Sequence, residues 1–248
     1  MKLKDFFIGI LVITIVVLLG VFVHQQADRR TNRELARRIA ELSPRGGPPA
    51  TIEGLRKAID LYQDQIDRYV RDAAQTGAYW KILGTRLAER GMHHEALAAF
   101  ERAIYFNSED ASLFYLTGIS AGHAAKSQVG FSADSGLDRE GYFTLAENSY
   151  LRAIELDNRY TRPMYGLGVL YVFELNRPSD AIVHLETLHE IQPSNIPAMF
   201  VLARANFMTG NFSRATELYD LIASRTRNPR EREEALTNRE IISRMLYE

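Results

Sequence analysis

Residues 80–103, WKILGTRLAERGMHHEALAAFERA, decide the fold of this 248-residue chain. Apolar residues recur every three or four positions on both sides of Gly91, which predicts two amphipathic helices joined by a short turn. Gly84 and Ala96 are small at the positions where two helices must approach each other closely. Phe100 is large enough to fill the space beside them. The stretch therefore predicts one helix–turn–helix unit.

The pattern of this unit returns three times further along the chain. Residues 164–193 repeat it well, with one extra residue in the turn near 176–178. Residues 199–219 repeat it more weakly. Residues 114–153 form a split unit, because about sixteen extra residues near 126–141 separate its two helices. The inserted stretch is rich in Gly, Ser and Asp, and we expect a loop there.

The four units, over residues 77–227, resemble the tetratricopeptide repeat, a 34-residue helix–turn–helix motif. The resemblance implies an all-α solenoid of about four units plus flanking helices, and a protein that binds other proteins. Repeat units stack, and end helices cover the outer faces of a stack. Four tandem matches indicate the fold strongly, but they do not identify a particular partner.

Flanking helices are predicted at both ends of the repeats. A leading helix over residues 51–76 carries an apolar face that we expect to cap the first unit. The side chains of that face are Ile52, Leu55, Ile59, Tyr62, Ile66 and Tyr69. A capping helix over residues 228–248 starts at Asn228-Pro229, because proline is well tolerated in the first helical turn. Its inward side chains are expected to be Ala235, Leu236, Ile242 and Leu246.

The amino-terminal 50 residues are predicted to attach the chain to a membrane. Residues 6–23 form an uncharged run of 18 residues, which meets the minimum for a transmembrane helix within an anchor at 1–24. A cleaved signal peptide is the alternative, but the end of the run lacks a small-x-small cleavage site. Residues 25–50 form a basic juxtamembrane stalk followed by a Pro/Gly linker. The stalk is either solvated along its length or contacts anionic lipid head groups through its arginines, and the sequence allows both.

The side of the membrane on which the repeats lie is ambiguous from the sequence. Lys2 and Lys4 precede the span, whereas five arginines follow it between residues 29 and 38. The count of basic residues favours a cytoplasmic body. A short charged amino-terminal tail, however, behaves as a signal-anchor that sends the body outward. We expect a single-pass protein of the inner membrane with a periplasmic body, with a cytoplasmic body as the alternative.

The resemblance also implies where a partner binds. In this family the first helix of each unit lines a concave groove, and counting from the matched small residue gives the side chains that face it. These are Lys81, Thr85, Tyr115, Ile119, Arg162, Tyr165, Val169, Val172, Phe200, Arg204 and Phe207. Such an aromatic and apolar set suits an apolar peptide or helix, with arginine available for a carboxylate. Filling of the groove by the inserted loop or a flanking helix is the alternative.

Other function classes find little support in the residues. The chain has no cysteine, which excludes thiolate metal sites and cysteine nucleophiles. Residues 51–248 carry 22 basic and 27 acidic residues, unlike the basic folded part of a nucleic-acid binder. His93-His94-Glu95 lacks the second histidine, four residues further along, that a zinc site on a helix requires. We therefore expect these histidines to lie on the surface. We expect no enzyme activity, no metal, no cofactor and no small-molecule substrate.

The sequence thus predicts a membrane-anchored scaffold or assembly factor. The layout resembles bacterial translocon-associated chaperones, assembly factors for envelope machines, and periplasmic collar components of flagellar motors. The alternative is a cytoplasm-facing adaptor that delivers a client to a membrane enzyme or protease.

Overall fold

A computed structural model describes residues 33, 34, 36–38, 40, 41, 49, 51–127 and 137–247. The predicted span at 6–23 and most of the stalk lie outside these residues. No helix in the described part is long and apolar enough to cross a membrane. The predicted loop at 126–141 is described only at its two ends.

The described part is α-helical and contains no strand, which confirms the predicted all-α repeat fold. The helices run in chain order as follows: α1 Ile52–Glu89, α2 His93–Phe106, α3 Ala111–Ser127, α4 Arg139–Leu156, α5 Thr161–Val169, a π-helical turn Leu170–Glu174, α6 Pro178–Ile191, α7 Ile196–Met208, α8 Phe212–Arg225 and α9 Pro229–Tyr247.

The chain divides into two compact parts, residues 1–72 and residues 73–248. In the second part, each helix from α2 to α9 packs against the next one along the chain. Successive helices of this kind form antiparallel pairs, as the repeat pattern predicts. The largest buried cluster extends from α3 to α9. A smaller one joins the end of α1 to α2 and α3 around Phe100 and Leu113.

Glycines permit the close approach of paired helices at the positions that the sequence singled out. A Cβ built on Gly84 would lie 2.5 Å from the ring of Phe100. Gly118 is equally close to Tyr150, and Gly168 lies against Leu185. Because Leu185 is fully buried, it has little room to move away. The same contact therefore holds the helix pair together in three of the four units.

Three turns end a first helix in the same way. Gly91 and Gly210 have φ of +76° and +78°, in the left-handed region where glycine has no steric penalty. Asn176 takes this place in the third unit with φ of +52°. In each turn the following amide donates to a carbonyl five or six residues back, at 2.8–3.0 Å. The three turns thus share one geometry although the residue differs.

The amino-terminal end of the repeats differs from the prediction. The leading helix and the first helix of the first unit are one continuous helix, α1, because residues 76–78 contain no proline and no left-handed residue. The apolar face expected to pack inward is exposed in residues 51–72. Its six side chains have exposed fractions between 42% and 74%.

The carboxy-terminal helix begins at Pro229. Ala235 and Ile242 are buried against the preceding repeat, whereas Leu236 and Leu246 are about half exposed. Two of the four side chains expected to face inward therefore do so.

Candidate partner-binding groove

A cavity of about 340 Å³ opens between α3, α4, α5 and the π-helical turn. Its walls are mainly aromatic and aliphatic, and its polar groups come from both ends. Five of the predicted groove residues line it: Tyr115, Ile119, Arg162, Tyr165 and Val169. Five of the eleven groove positions implied by the repeat pattern therefore converge on one site in the middle of the repeats.

Tyr150 forms part of the base of this cavity because two glycines leave room for its ring. A Cβ on Gly118 or Gly166 would lie 2.6–2.8 Å from the ring. Tyr115 lies over the same region, with its ring centroid 6.3 Å from that of Tyr150 and 5.5 Å from that of Tyr160. Burial raises the pKa of Tyr150, so the base of the cavity stays uncharged at physiological pH.

Arg162 is an exposed cation at the rim of the cavity. Within the described residues, no carboxylate forms an ion pair with it. A guanidinium offers several donors in a planar array that matches a carboxylate. The rim therefore presents a site for a negatively charged group next to an apolar cavity.

The other end of the cavity is closed by ion pairs around Glu174. Lys126 Nζ lies 2.6 Å from one oxygen of Glu174, and an Arg139 guanidinium nitrogen lies 3.7 Å from the other. Lys126 and Arg139 lie at the two ends of the predicted insertion at 126–141. Both ends of the insertion are thus held at the edge of the cavity by the π-helical turn.

The π-helical turn accounts for the extra residue in the third unit. The extra residue is taken up at Leu170–Glu174, before the turn at Asn176, where a π-helical segment adds one residue to a helical turn. One added residue rotates the following side chains by about 100° around the helix axis. Val172 is consequently buried, with 5% of its surface exposed, and it is not available to a partner as the sequence predicted.

Two other predicted groove residues are engaged within the repeats. Lys81 Nζ donates to Asp110 at 2.6 Å and to Ser112 at 2.5 Å. The Thr85 hydroxyl donates to the carbonyl of Lys81 at 2.9 Å. Lys81 therefore joins the first unit to the start of α3, and neither residue lines the cavity.

The remaining three predicted residues lie on α7, outside the cavity. Phe200 and Phe207 are half-buried, and Arg204 is exposed above the Phe207 ring at 5.7 Å. Phe207 also contacts Phe212, with centroids 5.7 Å apart. This surface is aromatic with one cation, and it resembles the cavity in chemistry.

Sequence counting missed several residues of the cavity. It considered the first helix of each unit, whereas Phe143, Ala146 and Tyr150 come from the second helix of the split unit. Glu174 could have been suspected from the extra residue nearby. Lys126 could have been suspected because it borders the insertion.

His93 and His94 are more buried than the sequence predicts. His93 stacks on His123 with centroids 4.7 Å apart, and His94 Nδ1 lies 2.9 Å from the Tyr142 hydroxyl. Burial lowers the pKa of His93, so its ring stays neutral near pH 7. Within the described residues, no group of acidic or histidine side chains is arranged to hold a metal ion.

Comparisons with known proteins agree with the repeat pattern. The family model described as tetratricopeptide repeat matches residues 172–236. A TPR repeat-containing protein of Borreliella burgdorferi is 19% identical over 223 residues, which cover 90% of this chain and 95% of that protein.

Solved structures of helical-repeat proteins share the fold. A crystal structure of MamA has a TM-score of 0.51 at 17% identity and covers 67% of this chain and 87% of its own. A TPR protein of Thermus thermophilus has a TM-score of 0.51 at 13% identity, with coverages of 73% and 90%. A tetratricopeptide repeat protein from Parabacteroides merdae has a TM-score of 0.51 at 14% identity, with coverages of 83% and 72%.

Proposed function

We propose that this chain, which carries tetratricopeptide repeats, is a membrane-anchored scaffold that binds a segment of a partner protein in the cavity beside Tyr165. Proteins with this repeat generally mediate protein–protein interaction. The observation that carries the proposal is the cavity itself, with apolar walls and Arg162 at its rim. Apolar cavities with few polar groups are the usual form of binding sites.

The chemistry of the cavity indicates the partner segment. Its volume of about 340 Å³ accommodates one or two large apolar side chains. Tyr115 and Tyr165 provide aromatic contact area of the kind enriched at protein interfaces. Arg162 adds a charge-assisted hydrogen bond to a carboxylate. The expected ligand is an apolar peptide or helix with an acidic residue, or its own carboxyl terminus, beside the inserted side chain.

The proposed membrane attachment rests on the amino-terminal sequence. The uncharged run at 6–23 is long enough to span a bilayer, and a basic stalk and linker follow it. Attachment would hold the repeats close to membrane proteins and raise the effective concentration of any partner there. We place the body in the periplasm and the process in assembly or support of an envelope machine, such as a translocon or a flagellar motor.

A cytoplasmic adaptor that delivers a client to a membrane enzyme is the second proposal. The five arginines after the span favour it. Because the chain has no cysteine, a single cysteine at the exposed Val183 gives a clean test. Labelling by an impermeant maleimide in intact spheroplasts supports the periplasmic body. Labelling that requires lysis supports the cytoplasmic one. Turnover of a substrate is not expected in either case.

The proposed groove is tested by variants that change its surface and leave the repeats folded. Val169→Lys places a cation in the cavity, and Arg162→Glu reverses the charge at its rim. Val183→Lys is the matched control, because Val183 is 66% exposed and lies outside the cavity. We expect the first two variants to lose a partner that co-purifies from native membranes, and the control to retain it. Retention by all three variants would contradict the proposal.

A further inference from the structure

The first part of α1 carries an apolar stripe that no described part of its own chain covers. The stripe consists of Ile52, Leu55, Ile59, Tyr62, Ile66 and Tyr69, hereafter the α1 stripe. Their exposed fractions lie between 42% and 74%. The helices of a repeat protein normally bury such a face, because exposed apolar area of this extent favours association.

The spacing of the α1 stripe is that of a coiled coil. Isoleucines recur at seven-residue intervals, at 52, 59 and 66, and a leucine or tyrosine follows each by three positions. This 3-4 alternation averages 3.5 residues, whereas a helix that packs on a globular core follows 3.6 residues with a wider face. A strict seven-residue repeat keeps one narrow seam turned toward a partner helix.

The identity of the seam residues indicates a second copy in parallel orientation. β-branched residues at the first position of the heptad, with leucine at the fourth, favour two parallel strands. Here the first positions are all isoleucine, and the fourth position of the first heptad is Leu55. The two tyrosines at the later fourth positions bury a ring while their hydroxyls reach the edge of the seam.

The residues that flank the seam allow two copies to pair in register. In a parallel pair, Arg56 would face Thr51 of the second copy. Gln63 would lie on the side of Ala58, which is only 7% exposed and offers the second copy almost no surface. These pairs contain no like charges. Two identical helices therefore meet no electrostatic repulsion along the seam in this orientation.

The area of the stripe is sufficient for a dimer. The six side chains expose roughly 600 Å² per copy, at the upper end of what a monomer leaves uncovered. Two such faces together reach about 1,200 Å², the lower bound of a specific interface. We propose that a second copy of this chain packs in parallel on the α1 stripe, which makes the scaffold a dimer with two grooves.

Cysteine cross-linking tests both the contact and its orientation. Since the chain has no cysteine, Tyr62→Cys and Asp64→Cys each introduce a single thiol. In a parallel in-register pair, position 62 meets its own counterpart, whereas Asp64 is exposed on the opposite side of the helix. We expect the full chain in detergent to form a disulfide dimer with Tyr62→Cys and none with Asp64→Cys. Equal cross-linking of both, or of neither, would overturn the proposal.

Self-association in solution provides the second test. Ile59→Lys combined with Ile66→Lys places two charges in the seam at exposed positions, where folding of the monomer is insensitive to the change. We expect the dissociation constant from sedimentation velocity to rise at least ~100-fold, since two central apolar contacts are lost. Asp64→Lys is the matched control and should leave it unchanged. A full chain that is monomeric at about 50 µM, the range of weak specific association, would refute the second copy. So would a double variant that associates as tightly as the control.

Discussion

The contact between Gly168 and Leu185 predicts that one added methyl group loosens the third repeat. A Cβ on Gly168 would lie 2.6, 2.7 and 2.9 Å from three carbons of Leu185. Contacts below 3.0 Å are not tolerated, and a rotation about χ2 moves only the two Cδ atoms and leaves Cγ at 2.7 Å. A rotation about χ1 would move all three carbons, but the packed core around Leu185 leaves little space for another rotamer. Leu185 is fully buried, which leaves separation of α5 from α6 as the response.

The change in the free energy of unfolding caused by Gly168→Ala combines two opposing contributions. Alanine is better than glycine in a helix by about 1 kcal/mol. Overpacking of a tight core costs about 1–3 kcal/mol, and the value here lies at the upper end because both helices must move. The net expectation for Gly168→Ala is a loss of roughly 1–2 kcal/mol in the free energy of unfolding.

Gly122→Ala is the matched control for this prediction. Gly122 also lies inside a helix, but no atom lies within 4 Å of a Cβ built on it. The propensity term then acts alone, and we expect a gain of about 0.5–1 kcal/mol. Urea unfolding followed by circular dichroism measures both variants against the unchanged chain. A Gly168→Ala variant as stable as Gly122→Ala would refute the close-approach argument.

Three further predictions concern stability. Asp110→Ala should lower the free energy of unfolding by about 1–2 kcal/mol in urea titrations, because Asp110 accepts the first amides of α3 at 3.0 and 3.2 Å. A double-mutant cycle between Arg214 and Glu186, paired at 2.8 Å across α6 and α8, should give a coupling of about 1 kcal/mol that decreases in 0.5 M NaCl. Burial lowers the pKa of His93 and His189 below the usual value near 6.5, so the free energy of unfolding should fall as the pH drops from 7.5 to 5.5.

Each of these expectations has its own control. Asp110→Asn keeps an acceptor for the helix start and should cost less than Asp110→Ala; equal losses would contradict the capping role. Coupling that is insensitive to salt would argue against an ionic contribution from Arg214. His93→Phe keeps the stacking on His123 but cannot be protonated, so the loss of stability on acidification should become smaller. An unchanged pH dependence would show that His93 is not responsible.

The repeats could be predicted because their pattern depends on local sequence. Small residues at crossing points and left-handed turns at glycine are required by the contacts themselves, so Gly84 and Gly91 indicate the fold directly. No comparable contact indicates whether the leading helix is separate from the first helix of the first unit, and the predicted break between them is wrong. Gly77 alone does not end a helix, and the structure continues α1 through it.

The cavity was predicted in part. Tyr115, Arg162 and Tyr165 were found because groove positions follow from the helical repeat. Val172 was assigned to the groove on the assumption of a regular α-helix, and the π-helical turn changes its direction. The side chains that α4 contributes to the cavity could not be predicted in this way. How far a side chain of a second helix extends into the groove depends on three-dimensional packing, which the sequence pattern does not show.

The membrane anchor and the side of the membrane remain proposals, and the roles suggested for the scaffold follow from them. The cavity and the α1 stripe do not depend on either. A dimer that forms through the stripe would present two cavities to one partner complex. Binding two linked sites raises apparent affinity through effective concentration.

The most direct test of the central claim is contact between the cavity and a partner in the native membrane. A photo-cross-linking amino acid replaces Tyr165, and Val183 on α6 is the control position because it is 66% exposed and lies outside the cavity. We expect one discrete adduct from position 165 that disappears with Val169→Lys and is absent from position 183. The same adducts from both positions, or none from position 165, would contradict the central claim.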